Sequence, residues 1–259
     1  MNKEQIGNEG GVFFSISSTL LQSFKRVMEL YPLTHWYQPI YRLDTWTVLG
    51  YEALLRPLLR QEASPTLLFD EATRHGHRAA LDCVSLWKAW ETAQFTSVYL
   101  FMNVFPNTLM EPDFLQWWDQ YMAPSPSLVL ELSEQEAVAD WAALRRVVDA
   151  LRRRGVRFAV DDIGVGYASL RYWLELEPEF LKLDRYFTHR LAHDAQKQRV
   201  VSGLLYMLDG TPTQLIVEGL EEPEDLAAAK YLGVPLGQGF LLGHPAPLAG
   251  AGRRKTRPG

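Results

Sequence analysis

Short apolar runs that end in polar residues alternate with stretches of helical periodicity along most of the chain. In the run VRFAVDD, the mostly apolar residues 156–160 lead into Asp161 and Asp162. The comparable runs are VYLFMNV, LVLEL, EFLKLD, LIVEGLE and GVPLGQGF. Apolar residues between these runs, for example in residues 66–95, return at spacings of three and four, which is typical of amphipathic helices. This alternation predicts parallel strands covered by helices, an α/β fold.

Two β-rich runs near the start of this pattern are too close together to form a parallel pair. HWYQPIYRL and WTVLGY occupy residues 35–43 and 46–51, and only Asp44 and Thr45 separate the two predicted strands. Two residues can close an antiparallel hairpin, whereas a parallel pair needs a crossover of roughly a dozen residues. The length of 259 residues suits one (β/α)8 barrel of roughly 250 residues. If the chain forms such a barrel, it contains one antiparallel pair.

The composition indicates a globular chain with a large core, since 47% of its residues are hydrophobic and 22% are charged. The formal net charge of −5 argues against a surface for duplex nucleic acid, because that binding depends on Lys and Arg neutralising phosphates. The single cysteine, Cys83, permits no internal disulfide and fits a cytoplasmic location. No apolar run approaches the roughly 20 residues that span a bilayer. We therefore expect a cytoplasmic protein with no membrane segment in this chain.

Acidic and amide side chains stand at or near the ends of the predicted strands. In β/α barrels the C-terminal strand ends form the face that carries the chemistry, so these side chains are expected to converge. The candidate metal ligands are Glu52, Asn103, Glu131, Asp161, Asp162 and Glu218. Such oxygen donors suit Mg²⁺ or Mn²⁺ and argue against a structural zinc. An isolated Asp-Asp pair more often caps a helix or forms a turn, so the pair gains meaning only from the other residues.

A pair of ions would give these residues a hydrolytic chemistry. Two ions roughly 3.5–4 Å apart can activate water and hold the attacking and leaving oxygens of a phosphoryl displacement. Lys182, if buried beside the ions, would lose proton affinity and act as a base or hydrogen-bond the nucleophilic water. On the protein surface, Lys182 would be an ordinary solvated lysine.

Seven short motifs follow one another along the chain. They are YEALLR at 51–56, NV at 103–104, ELSE at 131–134, DDIGVGY at 161–167, KLD at 182–184, VEGLE at 217–221 and GQGF at 237–240. In this order they resemble the motifs of the EAL-domain cyclic di-GMP phosphodiesterases, over about residues 34–247. The resemblance implies a modified (β/α)8, TIM-like barrel with one antiparallel strand. It also implies hydrolysis of cyclic di-GMP to linear pGpG with two Mg²⁺ or Mn²⁺ ions, which lowers this second messenger in bacterial signalling.

The resemblance also assigns roles to individual residues. The ligands of one ion would be Glu52, Asn103, Glu131 and Asp161, and those of the other Asp161 and Asp162. Lys182 would assist the attacking water, Glu218 would complete the metal-water site, and Glu134 would hold the loop after Asp162. The residues at positions that hold the dinucleotide are Gln38, Leu54, Arg56, Asp184 and Gln238.

The chain departs from the family pattern at three positions. Ile163 and Val165 stand where the family usually has Phe and Thr, and Phe105 stands where the Asn-Val motif usually continues with Ser. Replacing Thr by Val keeps the branched shape but removes a hydroxyl and any hydrogen bond that it made. Loop closure, dimer coupling or the second metal could be weakened as a result.

Two other functions explain part of these observations. A receptor that binds the dinucleotide but hydrolyses it poorly would keep the same fold. An enolase-like lyase with carboxylate-bound Mg²⁺ and a lysine base would explain the acids but not the order of the motifs.

We expect three parts in the chain: an N-terminal helical extension or linker over 1–33, the EAL-type barrel over 34–248, and a basic flexible tail over 249–259. The expected partners are cyclic di-GMP as substrate, a second copy of the chain in a homodimer, and an upstream sensor or partner protein.

Overall fold

A computed structural model describes residues 20–58, 64–93, 98–122, 127–133, 137–164 and 169–248. The strands are β1 (Leu33–Arg42), β2 (Val48–Pro57), β3 (Tyr99–Val104), β4 (Leu128–Leu132), β5 (Arg157–Ile163), β6 (Phe180–Leu183), β7 (Gln214–Val217) and β8 (Leu236–Gly237). The helices before β5 are α1 (Leu20–Leu30), α2 (Pro65–Arg74), α3 (Arg78–Ala93), α4 (Pro106–Leu109), α5 (Phe114–Tyr121) and α6 (Trp141–Arg152). Those after β5 are α7 (Ser169–Leu176), α8 (Arg185–Thr188), α9 (Ala195–Leu208) and α10 (Pro223–Tyr231).

The eight strands close into a barrel in chain order. β1 runs antiparallel to both of its neighbours, β2 and β8, whereas all the other neighbouring strands are parallel. The structure thus confirms the predicted barrel with one antiparallel strand. No helix in the described ranges is long and apolar enough to cross a membrane.

β2 extends further than the sequence pattern predicts. We expected Glu52 and Arg56 to lie just beyond a strand, but both lie inside β2, which continues to Pro57. The reason is the antiparallel ladder with β1, which pairs Leu33 with Pro57 and so holds the whole EALLR segment in extended conformation.

The barrel interior is apolar at one end and polar at the other. Its apolar cluster consists of Ile40, Leu49, Phe101, Val129, Ala159, Phe180, Ile216 and Leu236. Because side chains two positions apart share a strand face, the polar residues two positions away stand directly above this cluster in every strand except β2. These residues are Gln38, Asn103, Glu131, Asp161, Lys182, Glu218 and Gln238. In β2 the spacing differs because Leu49 is the extra residue of a bulge, where the register shifts between Ile40 and Tyr41.

The helices cover the outside of the barrel and their faces form the larger apolar core. α6, for example, is preceded by Asp140, whose carboxylate accepts a hydrogen bond from the amide of Ala143 at 2.8 Å and so caps the N-terminus of the helix. α1 packs through Phe24. The centroid of its ring lies 5.6 Å from that of Trp117 and 4.6 Å from that of Tyr121. The strands of the barrel are thus packed against apolar side chains both inside the barrel and beneath the helices.

Candidate active site

The ammonium group of Lys182 lies at the centre of the polar end of the barrel. Lys182 is 1% exposed. Its Nζ lies 2.9 Å from Oε1 of Glu131 and 2.8 Å from Oε1 of Glu218. It also lies 3.0 Å from Oδ1 of Asp161 and 3.5 Å from Oε2 of Glu52. Carboxylates from β2, β4 and β5 and from the start of the loop after β7 thus meet at one ammonium group, which β6 provides.

Two amide side chains orient the carboxylates of this cluster. Nδ2 of Asn103 donates to Oε1 of Glu52 and to Oε2 of Glu131, both at 3.2 Å. Nε2 of Gln238 donates to Oε2 of Glu52 at 2.6 Å and to Oε1 of Gln38 at 3.1 Å. Both donors satisfy carboxylate oxygens that would otherwise be buried without partners, so the positions of Glu52 and Glu131 are fixed before any ligand binds.

Asp161 and Asp162 both reach the site because β5 is irregular where they stand. The ladder to β6 shifts register between Val160 and Ile163, and Asp162 has a φ of 57°, which is uncommon for a residue other than glycine. In a regular strand, the two carboxylates would point to opposite faces. Instead, ligand oxygens of Asp161, Asp162 and Glu218 lie within 4.8 Å of one another, close enough to hold one metal ion.

The buried charges of the site are unbalanced. Burial raises the pKa of Glu131 well above its ordinary value although Lys182 opposes this effect, and burial raises the pKa of Glu218 to about 8. Burial also acts on Glu52, but Lys182 and the two amides hold its pKa below the ordinary value. Four carboxylates thus surround one ammonium group, which cannot neutralise them all.

The carboxylates around Lys182 determine its proton affinity. Burial lowers the pKa of Lys182, but Asp161, Glu131, Glu218 and Glu52 together outweigh burial and hold it well above the ordinary value. Without bound ions the lysine is therefore charged and paired with these carboxylates. The expected loss of proton affinity concerns the site with ions bound, and it stays a prediction.

The residues present fit divalent cations. Oε1 of Glu131 and Oδ1 of Asp161 are buried and contact the ammonium group, yet neither has a properly directed hydrogen bond within the described part of the chain. Hard oxygen donors with excess negative charge are the ligands that Mg²⁺ and Mn²⁺ prefer. The sites of two ions proposed from the motifs, on Glu52, Asn103, Glu131, Asp161 and Asp162, therefore have suitable chemistry.

Two pockets flank the carboxylate cluster and share Asp161. The larger pocket, of about 470 Å³, also contains Leu54, Arg56 and Asp162. The smaller pocket, of about 240 Å³, contains Gln38 and several residues of the cluster. The cluster is thus reached from both sides.

Most of the predicted site residues lie in these pockets. Leu54 and Arg56 line the larger one, whereas Gln38 and Gln238 line the smaller one. The carboxylate of Asp184 caps α8 by accepting the amide of Tyr186 at 2.8 Å. Glu134 lies outside the described residues.

Sequence reasoning missed one buried acid beside the site. Asp82 on α3 is 2% exposed, and its Oδ2 accepts the backbone amide of Phe105 at 2.9 Å. A lone acid among the apolar residues of LDCVSLW was the available signal. Its role depends on a partner 23 residues away, which the local pattern does not contain.

The model of the EAL domain family matches residues 22–245. The chain is 36% identical over 140 residues to the probable cyclic di-GMP phosphodiesterase PdeD of Escherichia coli K12, covering 52% of this chain and 25% of that protein. It is 28% identical over 228 residues to the cyclic di-GMP phosphodiesterase PA2567 of Pseudomonas aeruginosa, covering 81% of this chain and 38% of that protein. The chain spans less than two fifths of the length of such curated relatives.

Solved structures share the fold. Klebsiella pneumoniae BlrP1 in complex with calcium and cyclic di-GMP matches with a TM-score of 0.74 and 26% identity, over 83% of this chain and 56% of that chain. The PaMucR phosphodiesterase in complex with c-di-GMP matches with a TM-score of 0.74 and 26% identity, over 88% of this chain and 97% of that chain. The family model matches most of this chain, and the fold and the motifs of the family are present. The chain therefore belongs to the EAL domain family.

Proposed function

We propose that the chain is a metal-dependent phosphodiesterase that hydrolyses cyclic di-GMP to linear pGpG, and so lowers this second messenger in bacterial signalling. The observation that carries the proposal is the gathering of buried carboxylates around Lys182, between two pockets. Structures of the relative BlrP1 hold cyclic di-GMP with calcium or with manganese, which supports the same ligand and a divalent cation here.

The two sets of oxygen donors have separate tasks in this proposal. Glu52, Asn103, Glu131 and Asp161 would hold one ion, and Asp161 with Asp162 would hold the second. Bound there, the ions would lower the pKa of water and offset charge on the phosphate. Because Nδ2 of Asn103 already donates to two carboxylates, its amide oxygen is the atom available as a ligand.

Lys182 and Glu218 would manage the attacking water. A charged lysine has three N–H groups and no acceptor, so it can orient the water and stabilise negative charge that develops in the transition state. Glu218 lies beside both the ammonium group and the Asp161–Asp162 pair, where its carboxylate can accept a hydrogen bond from that water. In this role Lys182 acts as a hydrogen-bond donor; if ions bound beside it lowered its proton affinity, it would act as a base instead.

The reaction breaks one phosphodiester bond of the ring. The water oxygen bonds to phosphorus, the bond from phosphorus to the 3′ oxygen breaks, and the leaving oxygen takes a proton to become a hydroxyl. The product is linear, with a 5′ phosphate. The dinucleotide would be held by Leu54 and Arg56 in the larger pocket and by Gln38 and Gln238 in the smaller one, with Asp184 at a further matching position.

The direct test is incubation of the purified chain with cyclic di-GMP and Mg²⁺ or Mn²⁺, followed by chromatography of the products. Titration calorimetry with Ca²⁺ replacing the active metal measures binding without relying on turnover. We expect binding in Ca²⁺ and formation of pGpG in Mg²⁺ or Mn²⁺. An absence of both would contradict the proposed ligand as well as the reaction.

The second candidate function is a receptor that binds the dinucleotide without turning it over. The observation that favours it is Ile163, which directly follows Asp162, is buried in the core and stands where the family usually has Phe. Tight binding in Ca²⁺ together with no product in Mg²⁺ or Mn²⁺ would establish the receptor and reject the enzyme. Reversion of Ile163 to Phe would then be the first variant to examine.

A further inference from the structure

Phe105 stands at the mouth of the larger pocket, shortly after Asn103 at the end of β3. Its amide donates to buried Asp82 at 2.9 Å, and Pro106 follows it as the first residue of α4. The backbone is thus fixed on both sides of Phe105. Its side chain is half-buried and lines the pocket.

The side chains of Phe69 and Arg78 both contact the ring of Phe105. The ring of Phe69 meets it edge-on, with centroids 5.2 Å apart and an interplanar angle of 76°. The guanidinium group of Arg78 lies 4.1 Å from the centroid of the Phe105 ring. All three side chains line the larger pocket, and we call them the aromatic wall. Aromatic rings and guanidinium planes are the groups on which nucleobases stack.

The position of the aromatic wall relates it to the carboxylate cluster. The same pocket contains Asn103, Asp161 and Asp162, so a ligand whose phosphate reaches these residues extends its attached group into the space beside the wall. The volume of about 470 Å³ is within the range of roughly 300–1,000 Å³ that small-molecule sites occupy.

We infer that the aromatic wall is a stacking site for one purine base of a cyclic dinucleotide, with Phe105 as the residue that determines affinity for the base. The inference rests on the proposed function, because a phosphate at the carboxylate cluster is what places the base beside the wall. In the motif that the chain resembles, Ser usually stands at the position of Phe105. This chain would therefore hold the base with a contact that Ser cannot make.

Titration calorimetry with cyclic di-GMP in Ca²⁺ measures the contribution of Phe105 without depending on turnover. Phe105→Ser should weaken binding by roughly 10-fold to 100-fold, the usual scale for losing one base–aromatic stack. Phe105→Tyr keeps the ring and should restore most of the affinity. The matched control is Tyr231→Ser at the end of α10, where an aromatic side chain that is 92% exposed is removed far from the pocket, and this variant should bind as the wild type does.

A fluorescent ligand distinguishes stacking from a general loss of structure. The probe is the same cyclic dinucleotide with one guanine replaced by 2-aminopurine, whose fluorescence is quenched when it stacks on an aromatic ring. Quenching should occur with the wild type and with Phe105→Tyr, and it should be lost with Phe105→Leu, which keeps an apolar side chain against Phe69. Far-UV circular dichroism checks that each variant is folded.

The outcomes separate the inference from the proposed function. Equal affinity and equal quenching in the wild type, Phe105→Ser and Phe105→Leu would overturn the stacking site while leaving the proposed function intact. A folded wild type that binds no cyclic di-GMP in either Ca²⁺ or Mn²⁺ would overturn the proposed function and the inference with it.

Discussion

At the scale of single residues, Lys182 is the group on which the charge balance of the site depends. The sequence predicts its place near the acids, since KLD ends an apolar run. It does not predict the protonation state, because the pKa reflects four carboxylates contributed by distant strands. Similarly, the acids at strand ends could be identified individually, but the contact of Asp82 with Phe105 could not, since it depends on how α3 packs against the end of β3.

Replacing Lys182 tests its role in the chemical step. Lys182→Met should lower kcat by roughly 10²–10⁴-fold, the usual scale for proton-transfer or hydrogen-bond assistance, with a much smaller change in affinity measured in Ca²⁺. Steady-state kinetics at saturating cyclic di-GMP provides kcat. A rise in KM at unchanged kcat would instead assign Lys182 to uniform binding and remove it from the chemical step.

His35 makes stability depend on pH. It is buried, and its Nε2 lies 3.0 Å from the hydroxyl of Ser85, while burial and then the charge of Arg56 lower its pKa from 6.5 to about 3. The unfolded chain therefore binds more protons than the folded chain between these values, so stability contributed by neutral His35 is lost as the pH falls from about 6.5 towards 3. Between pH 7 and pH 5 the free energy of unfolding should therefore fall by about 2 kcal/mol less in His35→Gln than in the wild type.

Urea denaturation of wild type and His35→Gln at pH 7 and pH 5 measures this difference. The comparison isolates His35, because the carboxylates titrate in both proteins. The same loss of stability in both would mean that His35 is not the group responsible.

At the scale of elements, the irregular end of β5 determines the site more than any regular strand does. The apolar runs predict where the strands lie, but not the register shift or the φ of 57° at Asp162. The apolar run predicts a strand that ends near the two acids, and both lie within β5 at its break in register. A local pattern cannot specify such a break, because it arises from the pairing with β6.

Replacing Gly164 tests whether the backbone conformation at the end of β5 is needed for stability and turnover. Its φ is 100°, and a Cβ there would lie 2.4 Å from Cε2 of Phe187 on α8. Gly164→Ala should therefore destabilise the fold by at least about 1 kcal/mol. It should also lower turnover, because Gly164 lies only two residues after Asp162. The matched control is Gly233→Ala, where φ is 86° but nothing lies within 4 Å of a Cβ. Thermal melts should show a lower Tm for both variants, whereas turnover should fall in Gly164→Ala alone. Equal turnover in the two variants would contradict a role of this contact in placing Asp162.

At the scale of the whole molecule, the length suits a barrel and the hairpin adds one antiparallel pair. The resemblance to the family implies a barrel with one antiparallel strand, and the structure has this fold. The sequence does not predict how the pockets lie relative to the cluster, since their walls combine β2, α2, α3 and the strand ends. The division into 1–33, 34–248 and 249–259, the upstream partner and the cytoplasmic location stay predictions.

The homodimer also stays a prediction, and exposed apolar side chains on α7 and α8 offer a test. Leu170 and Leu174 on α7 and Tyr186 on α8 are 53%, 66% and 67% exposed, and residues four apart share one face of a helix. Leu174→Asp should shift a dimer towards monomer in sedimentation velocity across a concentration series. Leu67→Asp, at a leucine that is 59% exposed on α2, is the control and should not. A wild type that is monomeric at every concentration would reject the dimer.

The central claim is that an ion-binding carboxylate cluster carries out the hydrolysis, and the metal dependence of turnover for Asp161→Asn tests it most directly. Asp161 contacts Lys182 and borders both pockets. Formation of pGpG should be measured against Mn²⁺ concentration for the wild type, for Asp161→Asn and for the control Asp44→Asn, which changes an exposed aspartate in the loop between β1 and β2.

We expect turnover in the wild type and in Asp44→Asn to rise with Mn²⁺ and to saturate. In folded Asp161→Asn it should fall by more than the roughly 10–100-fold that is lost when a group supporting a metal ligand is changed. Wild-type turnover in Asp161→Asn at every Mn²⁺ concentration would contradict the account.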